Sequence, residues 1–217
     1  MTTDTLRISE MFRSLQGEST FAGLPCTFVR LSGCAVGCRW CDTGYAHSGG
    51  TTMSIDDVLE KVRKLGLDLV EVTGGEPLAQ PAAIPLLQQL ATEADTVLLE
   101  TSGTVSIADV PPEVRIIMDV KCPGSGADTL NHWENMALLK PVDEVKFVIS
   151  SAADFIWALR VIEDHRLVQR VSTVLVSPVT GEVQPEDLAA WVLESGLPLR
   201  MQMQLHKIIW PADPRGK

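Results

Sequence analysis

The sequence lacks several features that mark secreted, membrane-bound or nucleic-acid-binding proteins. Its first residues, "MTTDTLRISE", contain no charged segment followed by an apolar run, as a secretory signal would. No uninterrupted apolar run approaches the roughly 18 residues of a membrane-spanning helix. The 28 acidic residues outnumber the 18 basic ones, and the net charge of −10 disfavours nucleic acid or an anionic membrane as the main partner. We therefore expect a cytoplasmic protein, whose charge still allows a locally basic pocket.

The chain also lacks any Gly/Ser linker, low-complexity tract or block of like charge that would divide it. Its 217 residues are 45% hydrophobic, which is enough for a sizeable core. We therefore expect one domain over residues 1–217.

Short runs rich in β-branched residues predict strands, and several are apolar throughout, as in parallel strands buried on both faces. These runs are TFVRLSG, LDLVEVTGG, TVLLETSG, VRIIMDVK, DEVKFVIS, VSTVLVS and LRMQMQL. Helical patterns lie between many of them. One begins at Ser54, with Asp57 completing an acidic capping box, and ends at Gly66. The others are AAIPLLQQLATEA, SAADFIWALRVIEDH and QPEDLAAWVLESG, in the first of which Pro85 marks either a kink or the true start.

The alternation of strands and helices predicts an α/β fold with right-handed crossovers and a parallel sheet. An open doubly wound sheet and a partial barrel both fit the spacing. In either fold, ligands bind at the carboxyl ends of the strands. The polar, glycine-rich segments fall at those ends: SGC, TGGEP, ETSG, DVKCPGSG, ISS and VSPVTG. The pattern therefore predicts an enzyme whose site is assembled from many strand ends.

Three of the five cysteines, Cys34, Cys38 and Cys41, have the spacing C-x3-C-x2-C. Reduced cysteines in the cytosol are available as metal ligands. Structural zinc usually takes four protein ligands, often from two C-x2-C pairs, and the second pair is missing here. A fourth zinc ligand would have to be Cys26, Cys122 or His47. Three thiolates suit a [4Fe–4S] cluster whose fourth iron is open to another ligand. Three buried core cysteines are the remaining alternative.

The cysteine loop followed by a strand that ends in GGEP resembles the radical S-adenosylmethionine (SAM) enzymes. Trp40, between the second and third cysteines, occupies the aromatic position of their motif. The resemblance implies that SAM binds the open iron, and that the reduced cluster cleaves it to a 5′-deoxyadenosyl radical. A glycyl-radical activase and a non-catalytic iron–sulfur or zinc protein are the rival interpretations.

Further segments occur in an order that resembles the 7-carboxy-7-deazaguanine synthase family, from about Glu10 to about Pro211. These segments are SLQGEST, FVRLSGC, CDTGYA, VTGGEPL, LLETSGT, MDVKCPGSG, EVKFVIS and MQLHK. The resemblance implies a trimmed partial (β/α) barrel of the radical SAM type. It also implies conversion of 6-carboxy-5,6,7,8-tetrahydropterin to 7-carboxy-7-deazaguanine plus ammonia, in 7-deazapurine (queuosine-type) biosynthesis. SAM would be regenerated and Mg²⁺ required, and we expect a homodimer reduced by a flavodoxin or ferredoxin.

The resemblance assigns three sets of residues by position. The metal ligands are Cys34, Cys38 and Cys41 for the cluster and Thr43 for Mg²⁺. The substrate contacts are Leu15, Gln16, Gly17, Arg30, Thr73 and Pro211. The SAM contacts are Trp40, Cys41, Asp42, Gly75, Glu76, Ser102, Asp119, Val120, Lys121, Ser177, Pro178, Val179 and Thr180.

Several of these assignments have a physical basis of their own. The Gln16 amide matches a donor and an acceptor on a pterin edge. Arg30 lies in an apolar strand, where its guanidinium needs an anionic partner, either the substrate carboxylate or a structural ion pair. The Glu76 carboxylate can accept a hydrogen bond from the ammonium of SAM. Thr43 offers Mg²⁺ a hard oxygen, or else makes a local turn hydrogen bond. We interpret Cys26 as part of the core.

Overall fold

The computed structural model describes residues 5–66, 68–210 and 215–216. Pro211, a predicted substrate contact, lies outside them. The strands are β1 (Thr5–Leu15), β2 (Pro25–Leu31), β3 (Thr51–Ser54), β4 (Leu69–Gly74), β5 (Thr96–Thr101), β6 (Arg115–Val120), β7 (Glu144–Ile149), β8 (Thr173–Pro178) and β9 (Arg200–Met201). The helices are α1 (Ile55–Leu65), α2 (Ala83–Glu93), α3 (Asn135–Leu138), α4 (Ala152–Asp164), α5 (Leu167–Arg170), α6 (Pro185–Ser195) and α7 (Leu205–Ile209). Within these ranges no helix has both the length and the apolar character needed to cross a membrane.

All nine strands form one sheet in the order β3-β1-β2-β4-β5-β6-β7-β8-β9. From β2 through β9 every neighbouring pair is parallel, whereas β1 is antiparallel to both β2 and β3. In the described residues, β3 and β9 are the two edges of an open sheet. The α/β fold is therefore confirmed, and the open parallel-rich sheet fits the predicted partial barrel.

Three features that the sequence predicts for helix ends are present in the structure. Ser54 accepts a hydrogen bond from the Asp57 amide while the Asp57 carboxylate accepts one from Ser54, so the capping box before α1 is confirmed. Gly66 ends α1 with a φ of 67°, a conformation that favours glycine. Pro85 lies in the first turn of α2, where the helix does not use its missing N–H, and so marks the helix start.

The sequence patterns did not predict β1 and β3, and the strand predicted at LRMQMQL is too long. β1 has 11 residues, but a register shift between Ile8 and Glu10 interrupts its alternation of buried and exposed side chains. β3 has only four residues, all at least partly exposed. The run LRMQMQL forms a two-residue strand and then enters α7 at Leu205, because beyond Met201 the chain leaves the sheet edge.

The two faces of the sheet have different cores. The main core packs the helices on the outer face through residues such as Val72, Leu86 and Phe155. A smaller cluster on the inner face contains Leu98, Ile117 and Leu175. Because side chains two residues apart point to the same face, the polar residues that follow these three also face inward. The apolar cluster thus closes one end of the inner face and leaves polar side chains towards the other.

Candidate active site

A cavity of about 760 Å³ opens at the carboxyl ends of the parallel strands, in the size range of small-molecule sites. It brings together most residues that the sequence assigned to metal, substrate and SAM. Those that line it are Leu15, Gln16, Gly17, Arg30, Cys34, Cys38, Trp40, Cys41, Asp42, Thr43, Thr73, Gly75, Ser102, Asp119, Lys121, Val179 and Thr180. The structure shows that these residues share one cavity, whereas their contacts with ligands stay predictions.

Four predicted SAM contacts, Glu76, Val120, Ser177 and Pro178, are buried and do not line this cavity. The Glu76 carboxylate accepts hydrogen bonds from the Ser102 amide (2.7 Å), the Thr101 hydroxyl (2.9 Å) and the Leu78 amide. It therefore fixes the turn that presents Ser102 to the cavity. The Ser177 hydroxyl has no hydrogen-bond partner among the described residues.

The cysteine loop is held against the strand ends by backbone contacts. The Gly33 amide donates to the Ala46 carbonyl at 2.8 Å, and the Glu76 amide donates to the Gly33 carbonyl at 2.9 Å. A Cβ atom on Gly75 would lie 2.2 Å from the Gly33 carbonyl oxygen and 2.7 Å from Cys34 Cβ. Only glycine fits at position 75, because the loop backbone passes directly over it.

The three loop cysteines share the wall of the cavity. All three are free thiols and all line the cavity. Burial raises the pKa of Cys38, and nearby Asp119 and the other two thiols add to the rise, partly offset by Lys121. Among the described residues no three His, Cys, Asp or Glu side chains converge on one point, as a single metal ion requires. A cluster makes a different demand, since each thiolate binds its own iron.

The residues that follow the third cysteine, Cys41, fold back against its thiol. Cys41 Sγ is 3.2 Å from His47 Nε2 and 3.7 Å from the Thr43 hydroxyl oxygen. The Thr43 hydroxyl does not cap the short 3₁₀ turn that follows it, but its contact with Cys41, two residues back, is a local hydrogen bond of the kind considered as the alternative to Mg²⁺ binding. The Thr43 hydroxyl is therefore positioned beside the cluster loop and on the cavity.

A buried ammonium, that of Lys146, organises the inner wall of the cavity. It is 2.8 Å from a Glu18 carboxylate oxygen, 2.6 Å from Glu100 and 3.9 Å from Asp119, and its side chain is 5% exposed. Burial alone would lower the pKa of Lys146, but Glu100 and Glu18 raise it well above its usual value. Burial alone would raise the pKa of Glu100, but Lys146 lowers it to about 2. Both groups are therefore charged.

The two cationic residues among the predicted ligand contacts, Arg30 and Lys121, also form ion pairs within the protein. Arg30 Nε donates to Glu10 at 2.8 Å, and the Tyr45 hydroxyl donates to the same carboxylate oxygen at 2.7 Å. Lys121 lies 2.9 Å from Asp119. The structural ion pair considered for Arg30 is thus present, and both cations still line the cavity.

The sequence analysis did not assign every residue that lines the cavity, and three of those it missed are ionisable residues on buried strands: Glu71, Glu100 and Lys146. Each is an ionisable residue inside a mostly apolar strand, in LVEV, LLET and EVKFVI. That pattern was the available signal, since a charge in a buried strand needs a partner or a function. The same reasoning applies to Arg30 in its apolar strand.

Comparisons with known proteins identify the class of this site. The model of the radical SAM superfamily matches residues 28–124, which include the cysteine loop. The crystal structure of QueE from Escherichia coli has the same fold, with a TM-score of 0.75 over 93% of this chain and 95% of that one, at 24% identity. The matched segment is thus similar to the radical SAM superfamily, whose members use a [4Fe–4S] cluster and SAM.

The more specific assignment comes from full-length relatives. A 7-carboxy-7-deazaguanine synthase from Chlorobaculum tepidum is 47% identical over 214 residues, covering 97% of each chain. One from Koribacter versatilis is 44% identical over 225 residues, covering 97% of this chain and all of that one. The chain belongs to the 7-carboxy-7-deazaguanine synthase family.

Proposed function

We propose that this chain converts 6-carboxy-5,6,7,8-tetrahydropterin to 7-carboxy-7-deazaguanine and ammonia by a radical ring contraction. The observation that carries the proposal is one cavity lined both by the three cluster cysteines and by Gln16 and Arg30. Family membership supplies the substrate class, since the relatives are named for this product. A bound cluster and SAM would supply the radical that takes a hydrogen atom from the substrate.

The protein's own residues position the reactants. Cys34, Cys38 and Cys41 would hold three irons of the cluster and leave the fourth open towards the cavity. Gly75 allows the strand end to approach this loop, and the Glu76 carboxylate holds the Ser102 turn beside it. The residues packed beside the cysteine loop therefore come from the end of β4 and the turn after β5.

On the substrate side, a cation and an amide face the same cavity. Arg30 already donates through Nε to Glu10, so a substrate carboxylate would be bound through its Nη groups. The Gln16 side-chain oxygen accepts from the Glu18 amide while its nitrogen donates to Glu71, which fixes the orientation of the amide. The Thr73 hydroxyl donates a hydrogen bond to Glu100 at 3.0 Å, and Thr73 lines the same cavity.

We further propose that Thr43 binds Mg²⁺ together with the substrate. Thr43→Ala should raise the Mg²⁺ concentration for half-maximal activity by roughly tenfold, equivalent to about 1.4 kcal/mol for one lost oxygen ligand. Iron content should stay near that of the wild type, because Thr43 holds no iron. Thr43→Ser, which keeps the hydroxyl, is the matched control. The measurement is enzyme activity as a function of Mg²⁺ concentration. Equal midpoints for Thr43→Ala and the wild type would show that Thr43 is not a Mg²⁺ ligand.

A spectroscopic experiment separates a radical SAM enzyme from a non-catalytic iron–sulfur protein. SAM is added anaerobically to reduced, cluster-loaded protein, and the EPR signal of the cluster is recorded before and after. We expect a changed signal, because SAM would bind the open iron. An unchanged signal with full iron occupancy would contradict SAM ligation and favour an electron-transfer role.

The remaining proposals concern the assembly and setting of the enzyme. We propose a single domain over residues 1–217, since one sheet runs from β1 to β9. A flavodoxin or ferredoxin would supply the electron that the superfamily requires. Two copies of this chain would form a homodimer. Five free cysteines support a reducing compartment, the cytoplasm.

A further inference from the structure

Glu71 is an ionisable residue in the middle of an apolar strand. It lies between Val70 and Val72 on β4, is 1% exposed, and lines the floor of the cavity. Thr73, two residues on, lines the cavity from the same face of the strand. Glu71 therefore faces the ligand space and not the helix-covered core.

The contacts of Glu71 differ from those of the other carboxylates around the cavity. Its Oε2 atom accepts a hydrogen bond from the Gln16 side-chain nitrogen. Among the described residues no lysine, arginine or histidine forms an ion pair with it, whereas Glu100 on the next strand pairs with Lys146 at 2.6 Å. Glu71 is thus a buried acid that has a hydrogen-bond donor but no contacting cation.

Such an environment favours the protonated acid. Moving a carboxylate out of water without a cation is unfavourable, and a second carboxylate nearby adds repulsion. Burial, followed by the charge of Glu100, raises the pKa of Glu71 well above its usual value, and Gln16 and Arg30 offset this only in part. The surroundings of these two acids on neighbouring strands thus act in opposite directions, favouring the neutral form of Glu71 and the ionised form of Glu100.

We propose that Glu71 is a neutral carboxylic acid that donates a hydrogen bond to an acceptor atom on the heterocyclic ring of the substrate. One of its oxygens accepts from Gln16, and the other carries the proton towards the cavity. Ionised Glu100 can only accept hydrogen bonds. The floor thus offers a donor and an acceptor from adjacent strands, which matches a lactam edge with its carbonyl oxygen and N–H. This assignment rests on the proposed function and gives the site a means of orienting the ring.

Two substitutions test the role of the acid. Glu71→Gln keeps the size, the neutrality, one acceptor and one donor, so the affinity for substrate should stay within about threefold. Glu71→Leu removes both hydrogen bonds, leaves Gln16 and the substrate acceptor unpaired, and should weaken binding by roughly 10- to 100-fold. Glu144→Gln is the matched control, because Glu144 is a buried carboxylate that accepts from Thr20 and does not line the cavity.

The measurement is anaerobic calorimetric titration of carboxytetrahydropterin into cluster-loaded protein with SAM but no reductant, so that binding occurs without turnover. The Glu71 variants should retain wild-type iron content and the EPR response to SAM. If Glu71→Gln loses as much affinity as Glu71→Leu, or if Glu71→Leu loses none, the assignment is wrong. If the wild type binds no carboxytetrahydropterin, the proposed function and the assignment fail together.

An infrared difference spectrum between wild type and Glu71→Gln tests the protonation state without substrate or activity. We expect the carbonyl stretch of a protonated carboxylic acid in the wild type and its loss in the variant. A carboxylate band in its place would overturn the assignment even if the protein makes the proposed product. This readout also decides the question if Glu71→Leu does not fold.

Discussion

Replacing Cys38 by alanine is expected to abolish SAM cleavage, with 5′-deoxyadenosine falling to the background of cluster-free protein. Cys38 lies on the cavity between the other two loop cysteines in sequence, and its thiol interacts electrostatically with both. Removing one of three thiolates leaves an iron without its protein ligand, so the cluster cannot be held with a single open iron. Iron content, the EPR signal of the reduced protein and 5′-deoxyadenosine are the three measurements.

Cys122→Ala provides the matched control for this prediction. Cys122 is also a free cysteine, but it is 1% exposed, belongs to the main core and does not line the cavity. Its replacement should leave iron content and SAM cleavage near wild-type values. If Cys122→Ala lost the cluster and Cys38→Ala kept it, the assignment of the loop cysteines would be wrong.

Replacing Lys146 by methionine is expected to lower the free energy of unfolding by about 3–5 kcal/mol, because removing one partner of a buried ion pair leaves uncompensated charge. Glu18 and Glu100 would lose the ammonium that lies 2.8 and 2.6 Å from them. Activity should fall as well, since both carboxylates line the cavity. Urea unfolding of wild type and variant at matched iron content measures the change.

Lys64→Met is the comparison for Lys146→Met. Lys64 pairs with Glu60 at 2.6 Å on α1, but its side chain is 71% exposed. Such a surface pair contributes only about 0.3–0.5 kcal/mol. A Lys146→Met variant as stable as Lys64→Met would show that the buried network does not depend on its central ammonium.

Much of the fold followed from local patterns. The apolar runs that became β2 and β4 to β8 are buried on both faces, so they differ clearly from the amphipathic helices between them. The capping box at Ser54 and the glycine at position 66 set both ends of α1. β1 was missed because its bulge shifts the period of alternation, and no rule for a regular strand applies across that shift.

The site was predictable where its chemistry is local and not where it depends on the pleat and the strand order of the sheet. The cysteine loop and Gly75 belong to short motifs whose spacing carries the information. Glu71, Glu100 and Lys146 lie on three different strands, each as one polar residue in an apolar run. Only the pleat, which turns them to one face, and the order of the strands bring them together.

Product formation by the wild-type protein tests the proposed conversion of the pterin itself. Cluster-loaded protein is incubated anaerobically with SAM, reductant, Mg²⁺ and 6-carboxy-5,6,7,8-tetrahydropterin, and the products are separated by chromatography and identified by mass. We expect 7-carboxy-7-deazaguanine with one ammonia for each molecule of product. The amount of SAM consumed should not rise in proportion to the amount of product. Protein with a full cluster that cleaves SAM but forms no deazaguanine would contradict the proposed function.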